Sequence, residues 1–333
     1  MMKKFINKEH LMNNMDLKDK KIIYEVELDA RTAYSKIGKK VGLSKETTNN
    51  RIKALEREGI IQGYNTIINI AQLGYTGYAI FSRFQGVNEE KKKEVIEDLR
   101  SNRAVYWVAL LGGNYDILFA IQARDVLEFN RIYSSIQNKH GVYLKDNVIS
   151  IRTQVSQFHR NYLLNRKAIE KPPYFGKEIK LAETDEIDKS ILNILSTDGR
   201  INVVDLAKKA GIARTTAHSR VRALEKSGII QGYSALIHPE QFGYQVYQIM
   251  ISVNSINESI KKKLYNYCLN NPNITFYVDC VGKWNFELTC ETENQQKLQD
   301  ILTELRTVFQ ENIANIEIIL TFNYFLKYRL NVA

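Results

Sequence analysis

The chain has 333 residues, 44% of them hydrophobic, enough for about two to four globular domains of roughly 100–200 residues each. No run approaches the roughly 18 apolar residues of a membrane span. Met1-Met2-Lys3-Lys4-Phe5-Ile6-Asn7 also lacks the apolar core of a signal peptide, so a membrane partner is not expected and a cytoplasmic location is. A net charge of +10, nearly all of it carried before Lys171, suits nucleic acid or an acidic surface without choosing between them.

After an N-terminal extension (1–15), Asp16 to Glu27 sets Leu17, Ile22, Ile23 and Val26 at helical spacing. A short second helix runs from Ala33 to Lys40 and ends at Gly42, where glycine permits a left-handed turn. A third helix starts at once, capped by the Ser44 hydroxyl. Gly38, four residues before the turn glycine, leaves room for two helices to cross closely. Helix, tight glycine turn and helix make a helix-turn-helix pattern. Thr48, Ile52 and Leu55 share the inward face of the third helix, which leaves Lys45, Glu46, Asn49, Asn50 and Lys53 on the outward face. These residue types read base edges and neutralise phosphates, Asn being suited to adenine. Arg51 and Lys53 are expected on phosphate.

Gly59-Ile60-Ile61-Gln62-Gly63-Tyr64 then turns into an extended apolar stretch, closing a unit at 16–64. Residues 65–166 alternate strand and helix patterns: strand Tyr78–Phe84, helix Glu89–Arg100, strands Val105–Leu111 and Asp116–Ala123, helix Val126–Asn138 and strand Val148–Val155. The order βαββαβ reads as a ferredoxin-like sheet with helices on one face, whose bare face calls for a second such sheet. Lys171-Pro172-Pro173 marks an extended connector at 167–184.

Everything then recurs. Ala54-Leu55-Glu56-Arg57-Glu58-Gly59-Ile60-Ile61-Gln62-Gly63-Tyr64 returns 169 residues later as Ala223-Leu224-Glu225-Lys226-Ser227-Gly228-Ile229-Ile230-Gln231-Gly232-Tyr233. The same displacement carries Asp19, Asp29, Arg31, Gly42, Arg51 and Gly113 onto Asp188, Asp198, Arg200, Gly211, Arg220 and Gly282. A period this long exceeds the roughly 20–50 residues of solenoid repeats, so each copy is a complete unit and the chain is a covalent pseudo-dimer. The second copy divides into a helix-turn-helix at 185–233 and a βαββαβ domain at 234–333. The fold class is α+β: a winged-helix-like helix-turn-helix domain plus a ferredoxin-like domain, the pair repeated twice. The outward face of the second third-helix carries Arg214, Thr215, His218, Ser219 and Arg222, with Arg214 suited to guanine and Arg220 and Arg222 to phosphate. Ala213 stands where Ser44 caps the first copy and cannot cap.

Cys268, Cys280 and Cys290 are odd in number and confined to the second copy, which suits small buried hydrophobes better than a disulfide or metal site. His10, His140, His159 and His238 have no metal-ligand spacing, so neither metal nor cofactor is expected.

The stretches Ile37-Gly38-Lys39-Lys40-Val41-Gly42-Leu43-Ser44, Arg51 to Ile61 and Gly113-Asn114-Tyr115-Asp116, with their second-copy equivalents, resemble the Lrp/AsnC (feast/famine) family of prokaryotic transcription factors. The resemblance covers essentially the whole chain, twice. It implies a sequence-specific regulator binding double-stranded DNA, not an enzyme, with βαββαβ domains that dimerise, assemble into larger homo-oligomers and respond to amino acids. It places the effector near Gly113, Tyr115 and Asp116, with Asp116 taking an amino group, and near Gly282, Trp284 and Asn285, where the carboxylate has become an amide. Ordinary members carry one copy, so the fusion is a departure. Two other readings remain. One is an architectural DNA-binding protein, suggested by Lys91-Lys92-Lys93 and Lys261-Lys262-Lys263. The other is a siroheme-decarboxylase-like enzyme, which would need convergent histidines and cations around a tetrapyrrole.

Overall fold

The computed structural model describes residues 15–166, 172–176 and 181–326. The N-terminal extension, apart from Met15, thus lies outside the described residues, as do 167–171 and 177–180 of the connector and the last seven residues.

The first head comprises α1 (Leu17–Leu28), α2 (Tyr34–Val41) and α3 (Lys45–Arg57). Asp16 caps α1 through a reciprocal capping box with Asp19. Gly42, at φ 71°, ends α2, and the Ser44 side chain accepts from Thr47 N–H to cap α3. The close crossing expected at Gly38 is real: a Cβ there would lie 2.6 Å from the Leu43 carbonyl oxygen and 2.9 Å from Thr48 Oγ1. In the second head α6 (Glu186–Thr197), α7 (Val203–Ala210) and α8 (Arg214–Lys226) repeat the pattern, with a capping box at Asp185 and Asp188 and Gly211 at φ 67°. Ala213 makes no side-chain cap. At the crossing the Gly38–Thr48 combination is replaced by Ala207 and Ala217, a methyl gained on one helix and bulk lost on the other.

The two heads are not independent bodies. Strand β1 (Ile61–Ile68) pairs antiparallel with β7 (Ile230–Ile237) in a two-stranded ribbon whose register, Ile61 opposite Ile237 and Ile68 opposite Ile230, maps onto itself when the copies are exchanged. Each head is finished by the other copy's strand. Ala235 and Ile237 enter the core of Ile22, Ile23, Ile52 and Leu55, while Ile68 enters that of Ile191, Leu192, Leu195 and Leu224. Burying each such side chain is worth about 1.5–3 kcal/mol. Backbone bonds follow the same exchange: Ala30 N–H donates to Tyr233 O at 2.9 Å and Gly199 N–H to Tyr64 O at 2.8 Å. The repeated arginines serve this junction too. The Arg31 guanidinium stacks 3.8 Å from the Tyr233 ring and its Nε donates to Gly199 O, while Arg200 lies 4.8 Å from the Tyr64 ring.

The βαββαβ units comprise β2 (Thr76–Phe84), α4 (Glu89–Ser101), β3 (Val105–Gly112), β4 (Ile117–Ala123), α5 (Val126–His140) and β5 (Leu144–Gln157) in the first copy. After the short β6 (Tyr174–Gly176), the second copy supplies β8 (Gln245–Val253), α9 (Glu258–Asn270), β9 (Ile274–Gly282), β10 (Phe286–Thr292), α10 (Gln295–Phe309) and β11 (Ile313–Leu326). The two sheets join at both edges rather than only stacking: β3 pairs with β11 and β5 with β9. With β5 also pairing β2, the order β2-β4-β3-β11-β8-β10-β9-β5 closes into an eight-stranded barrel. Closure removes the unpaired edges that a single sheet would expose. Helices pack outside each half, and the bare faces meet in the interior, where Phe81, Leu118, Met250, Trp284 and Ile319 share one core. The sequence reading gave the connector no strand, but β6 pairs with β5 from Gln154 to Ser156, just beyond the β2 contact at Arg152.

Cys268, Cys280 and Cys290 are free and buried, at positions held by Leu99, Leu111 and Ile121 in the first copy, as befits apolar packing. No helix among the described residues is long and apolar enough to cross a membrane.

Gly38→Ala should destabilise the protein by about 1–3 kcal/mol through overpacking. Adding Thr48→Ala, which recreates the second head's combination, should recover part of the loss in denaturant unfolding, a non-additivity expected of residues in contact.

Candidate functional site

On α3, Thr48, Ile52 and Leu55 point inward and leave Lys45, Glu46, Asn50 and Lys53 exposed, with Asn49 half-buried. On α8, Ala217, Val221 and Leu224 are buried while Arg214, Thr215, His218, Ser219 and Arg222 are exposed. The Ser219 hydroxyl turns back to Thr216 O. Each head therefore offers one polar helix face, and the two faces differ in residue type at every position named.

Arg51 and Arg220 depart from expectation. Arg51 donates to Asp16 and Asp19 at 2.9 and 2.8 Å, and Arg220 pairs with Asp185 and Asp188 at 2.8 and 3.1 Å. Both arginines tie the third helix to the capping acids of the first while staying about a third exposed. Burial pushes the Asp16 carboxyl up, but the Asp19 backbone N–H and the Arg51 guanidinium outweigh it and hold it below its ordinary value. At Asp185 the Asp188 backbone N–H and then Arg220 do the same.

The β3–β4 and β9–β10 hairpins meet at one end of the barrel. The Tyr115 and Trp284 rings lie inside, edge-on to each other and to Phe81. Glu317 binds both turns, accepting from Asn114 Nδ2, Lys283 Nζ and Trp284 Nε1 at 2.7, 2.9 and 3.1 Å. Asp116 Oδ2 accepts from Phe84 N–H at 2.8 Å, and Asn285 Oδ1 accepts from the equivalent Val253 N–H at 2.9 Å. The change from acid to amide therefore preserves a bond that closes each hairpin. Gly113 sits at φ 108°, a turn conformation that favours glycine, and a Cβ on Gly282 would lie 2.6 Å from Ile149 O.

At the opposite mouth, beneath the ribbon, lies a cavity partly open to solvent. Trp107, Phe175, Phe276, Val278 and Tyr324 give it apolar walls, and Arg152, Arg160, Glu287 and Glu291 give it charge. The charges pair across the copies. Arg152 donates to Glu287 at 2.8 Å, and Arg160 grips Glu291 through Nε and Nη2, both at 2.8 Å. Arg160 also binds Glu27 of α1 through its guanidinium and, at 2.9 Å, its backbone N–H. Burial opposes the Arg160 charge, but Glu291 and Glu27 overcome it and keep the guanidinium ionised. Among the polar atoms around the cavity, Trp107 Nε1, Arg152 Nε and Asn65 Oδ1 are buried without a hydrogen-bond partner in the protein.

These residues were missed at the sequence level, although a signal exists. In β10 the inward positions are Glu287, Thr289 and Glu291, where β4 has Leu118, Ala120 and Gln122, and Arg152 of β5 stands where β11 has Thr321. Strand-by-strand comparison of the copies isolates the cluster.

Of the histidines within the described residues, His218 is exposed and His140 hydrogen-bonds Asp98 at 2.9 Å. Burial pushes His159 down and His238 down to about 4. No described residues form a metal-binding group of His, Cys, Asp and Glu.

The family described as AsnC-type helix-turn-helix domain matches residues 15–56, and that described as winged helix-turn-helix DNA-binding matches residues 184–231. The HTH-type transcriptional regulator FL11 of Pyrococcus furiosus is 32% identical over 120 residues, covering 35% of this chain and 77% of the relative. The HTH-type transcriptional regulator LrpA of Pyrococcus horikoshii is 39% identical over 129 residues, 38% of this chain and 86% of the relative. The crystal structure of the siroheme decarboxylase NirDL aligns over 95% of both chains with a TM-score of 0.59 at 13% identity, a likeness of fold alone.

Arg51→Ala should lower stability at neutral pH by up to about 1 kcal/mol, the pair being partly exposed. The folded-state carboxyl of Asp16 is depressed, so this stability is present above its unfolded pKa and lost as pH falls through the folded value; the deficit of the variant should vanish in acid. In DNA-binding titrations Arg51→Ala should leave the salt slope unchanged, whereas Lys53→Ala should flatten it by about one counterion.

Proposed function

We propose, from the premise that this chain belongs to the Lrp/AsnC family of helix-turn-helix transcriptional regulators, that it acts in the cytoplasm as a covalent pseudo-dimer reading an operator with two unlike halves. The observation that carries this is one ribbon holding two heads whose outward faces differ. A homodimer presents the same helix twice and matches a palindrome; this chain is under no such constraint. Asn49 and Asn50 favour adenine in one half, and Arg214 favours guanine in the other. Lys45, Lys53 and Arg222 fix position on phosphate, and Glu46, Thr215, His218 and Ser219 line the same faces. Exposed Ile318 and Phe322, on one face of β11, support assembly of pseudo-dimeric chains into homo-oligomers. An amino acid or similar small molecule modulates the complex. The hairpin set Gly113, Tyr115, Asp116, Gly282, Trp284 and Asn285 is a weaker place for it, since those side chains and turns already serve the barrel.

The architectural reading draws less support. Lys91 and Lys92 pair with Glu94 and Glu89 on α4, and Lys261 reaches Asp279 at 2.8 Å, so much of both lysine runs is neutralised within the chain. The whole-chain likeness to a siroheme decarboxylase favours a second reading as an enzyme. Against it, no histidine lines the barrel-mouth cavity, and both its arginines are matched by glutamates, a poor setting for a polycarboxylate tetrapyrrole. Unchanged absorbance on adding siroheme is the expected result.

Selection from a random duplex library at near-physiological salt should enrich a site with two different halves, centred about 34–36 Å or a multiple apart. Asn50→Ala should relax preference in one half only and Arg214→Ala in the other, each costing about 1–3 kcal/mol of discrimination. Enrichment of a perfect inverted repeat would refute the asymmetric reading.

A further inference from the structure

We propose that the cavity between the ribbon and the barrel mouth is the effector site of this chain, that it takes a small carboxylic acid with an aryl or branched alkyl body, and that the first head reads its occupancy. The inference rests on the regulatory reading above and gives it a place and a chemistry.

The walls select an apolar body. Phe175 and Phe276 face the cavity from the connector strand and β9, with Val155 and Val278 between them, and an apolar lining with few polar groups is the usual make-up of a small-molecule site. The polar groups select the acid. Trp107 Nε1–H and Arg152 Nε–H are donors only, both buried and both lacking a partner in the protein. The Arg152 side chain is only 6% exposed and its guanidinium lies 4.9 Å from the centre of the Trp107 ring, so the two side chains are neighbours. Leaving buried donors unmade is costly, and a carboxylate oxygen is an acceptor that answers both. The remaining charge on the lining is already balanced, Arg152 by Glu287 and Arg160 by Glu291. A ligand with one carboxylate therefore fits where a polyanion does not.

The readout is built into the wall. Arg160 and Glu291 line the cavity, and Arg160 continues to Glu27 of α1 in the first head. In the second copy Ser196 stands in the place of Glu27, and in the first copy Gln122 stands in that of Glu291. A ligand that shifts the Arg160–Glu291 pair acts on the first head through Glu27.

Calorimetry on the full-length protein without DNA, using phenylacetate and 4-methylpentanoate with 2-phenylethanol as the uncharged control, tests the site separately from DNA reading. The expected result is one acid bound per chain. Trp107→Phe, which keeps the ring and removes the donor, should weaken binding about fivefold to tenfold. Val278→Phe, which fills the cavity, should weaken it further, and a circular dichroism melt would show that both variants remain folded. Neither acid binding, the alcohol binding equally well, or acid binding that ignores both variants would overturn the proposal. Acid binding that leaves DNA affinity unchanged in both half-sites would overturn the readout while leaving the site. Failure to bind DNA at all would refute the regulatory reading without touching the calorimetric result.

Discussion

The β1–β7 ribbon is the joint on which the rest of the molecule hangs. A winged helix-turn-helix of this size must bury Ile22, Ile23, Ile52 and Leu55, and its own Ile61 covers them only together with Ala235 and Ile237 of the other copy. The same is true in reverse for the second head. Hydrogen bonds from Ala30 and Gly199 and the stacked arginines Arg31 and Arg200 fasten the α1–α2 and α6–α7 turns to the other copy's strand. Neither head has a complete core alone, so the relative placement of the two polar helix faces is set by packing rather than by a flexible linker. The barrel below obeys the same logic, because each half leaves two strand edges that only the other half can pair.

Fusion frees the two copies to diverge, and the divergence is concentrated at the places where symmetry had constrained them. The outward faces of α3 and α8 have changed character. Inside the barrel the second copy carries Glu287, Thr289 and Glu291 where the first has Leu118, Ala120 and Gln122, and Arg152 and Arg160 of the first copy pair with the two glutamates. Buried ion pairs of this sort contribute little net stability, since desolvation offsets most of the attraction. Their value lies in what they connect: the two halves of the barrel and the first helix of one head.

Much of this was legible in the sequence, for local reasons. Asp16, Ser44 and Gly42 announce helix ends through capping chemistry that involves only near neighbours, and the first copy's helices and strands fell within a few residues of their patterns, the largest shift being at the start of β5. The 169-residue displacement exposed the duplication. What stayed hidden depends on distant partners. Periodicity shows which face of a sheet is buried but not what covers it, so edge-to-edge closure into a barrel could not be read. Glu287, Thr289 and Glu291 alternate with Phe286, Leu288 and Cys290, a pattern that ordinarily marks a solvent-facing strand; here the other copy supplies the burial. The pairing of Arg51 and Arg220 with the capping acids likewise appears only once the fold brings those acids alongside. The pairing of β6 with β5 was masked by a proline-rich context that argues only against helix.

The central claim is that a single chain, through two heads joined by one ribbon, is the unit that reads both halves of an operator. Sedimentation of complexes on a duplex carrying both selected half-sites, titrated far above the dissociation constant, tests it most directly. The account predicts equal numbers of chains and duplexes at saturation, whatever the size of the assembly. Two chains per duplex, each engaging a half-site with one head while the other stays free, would contradict it.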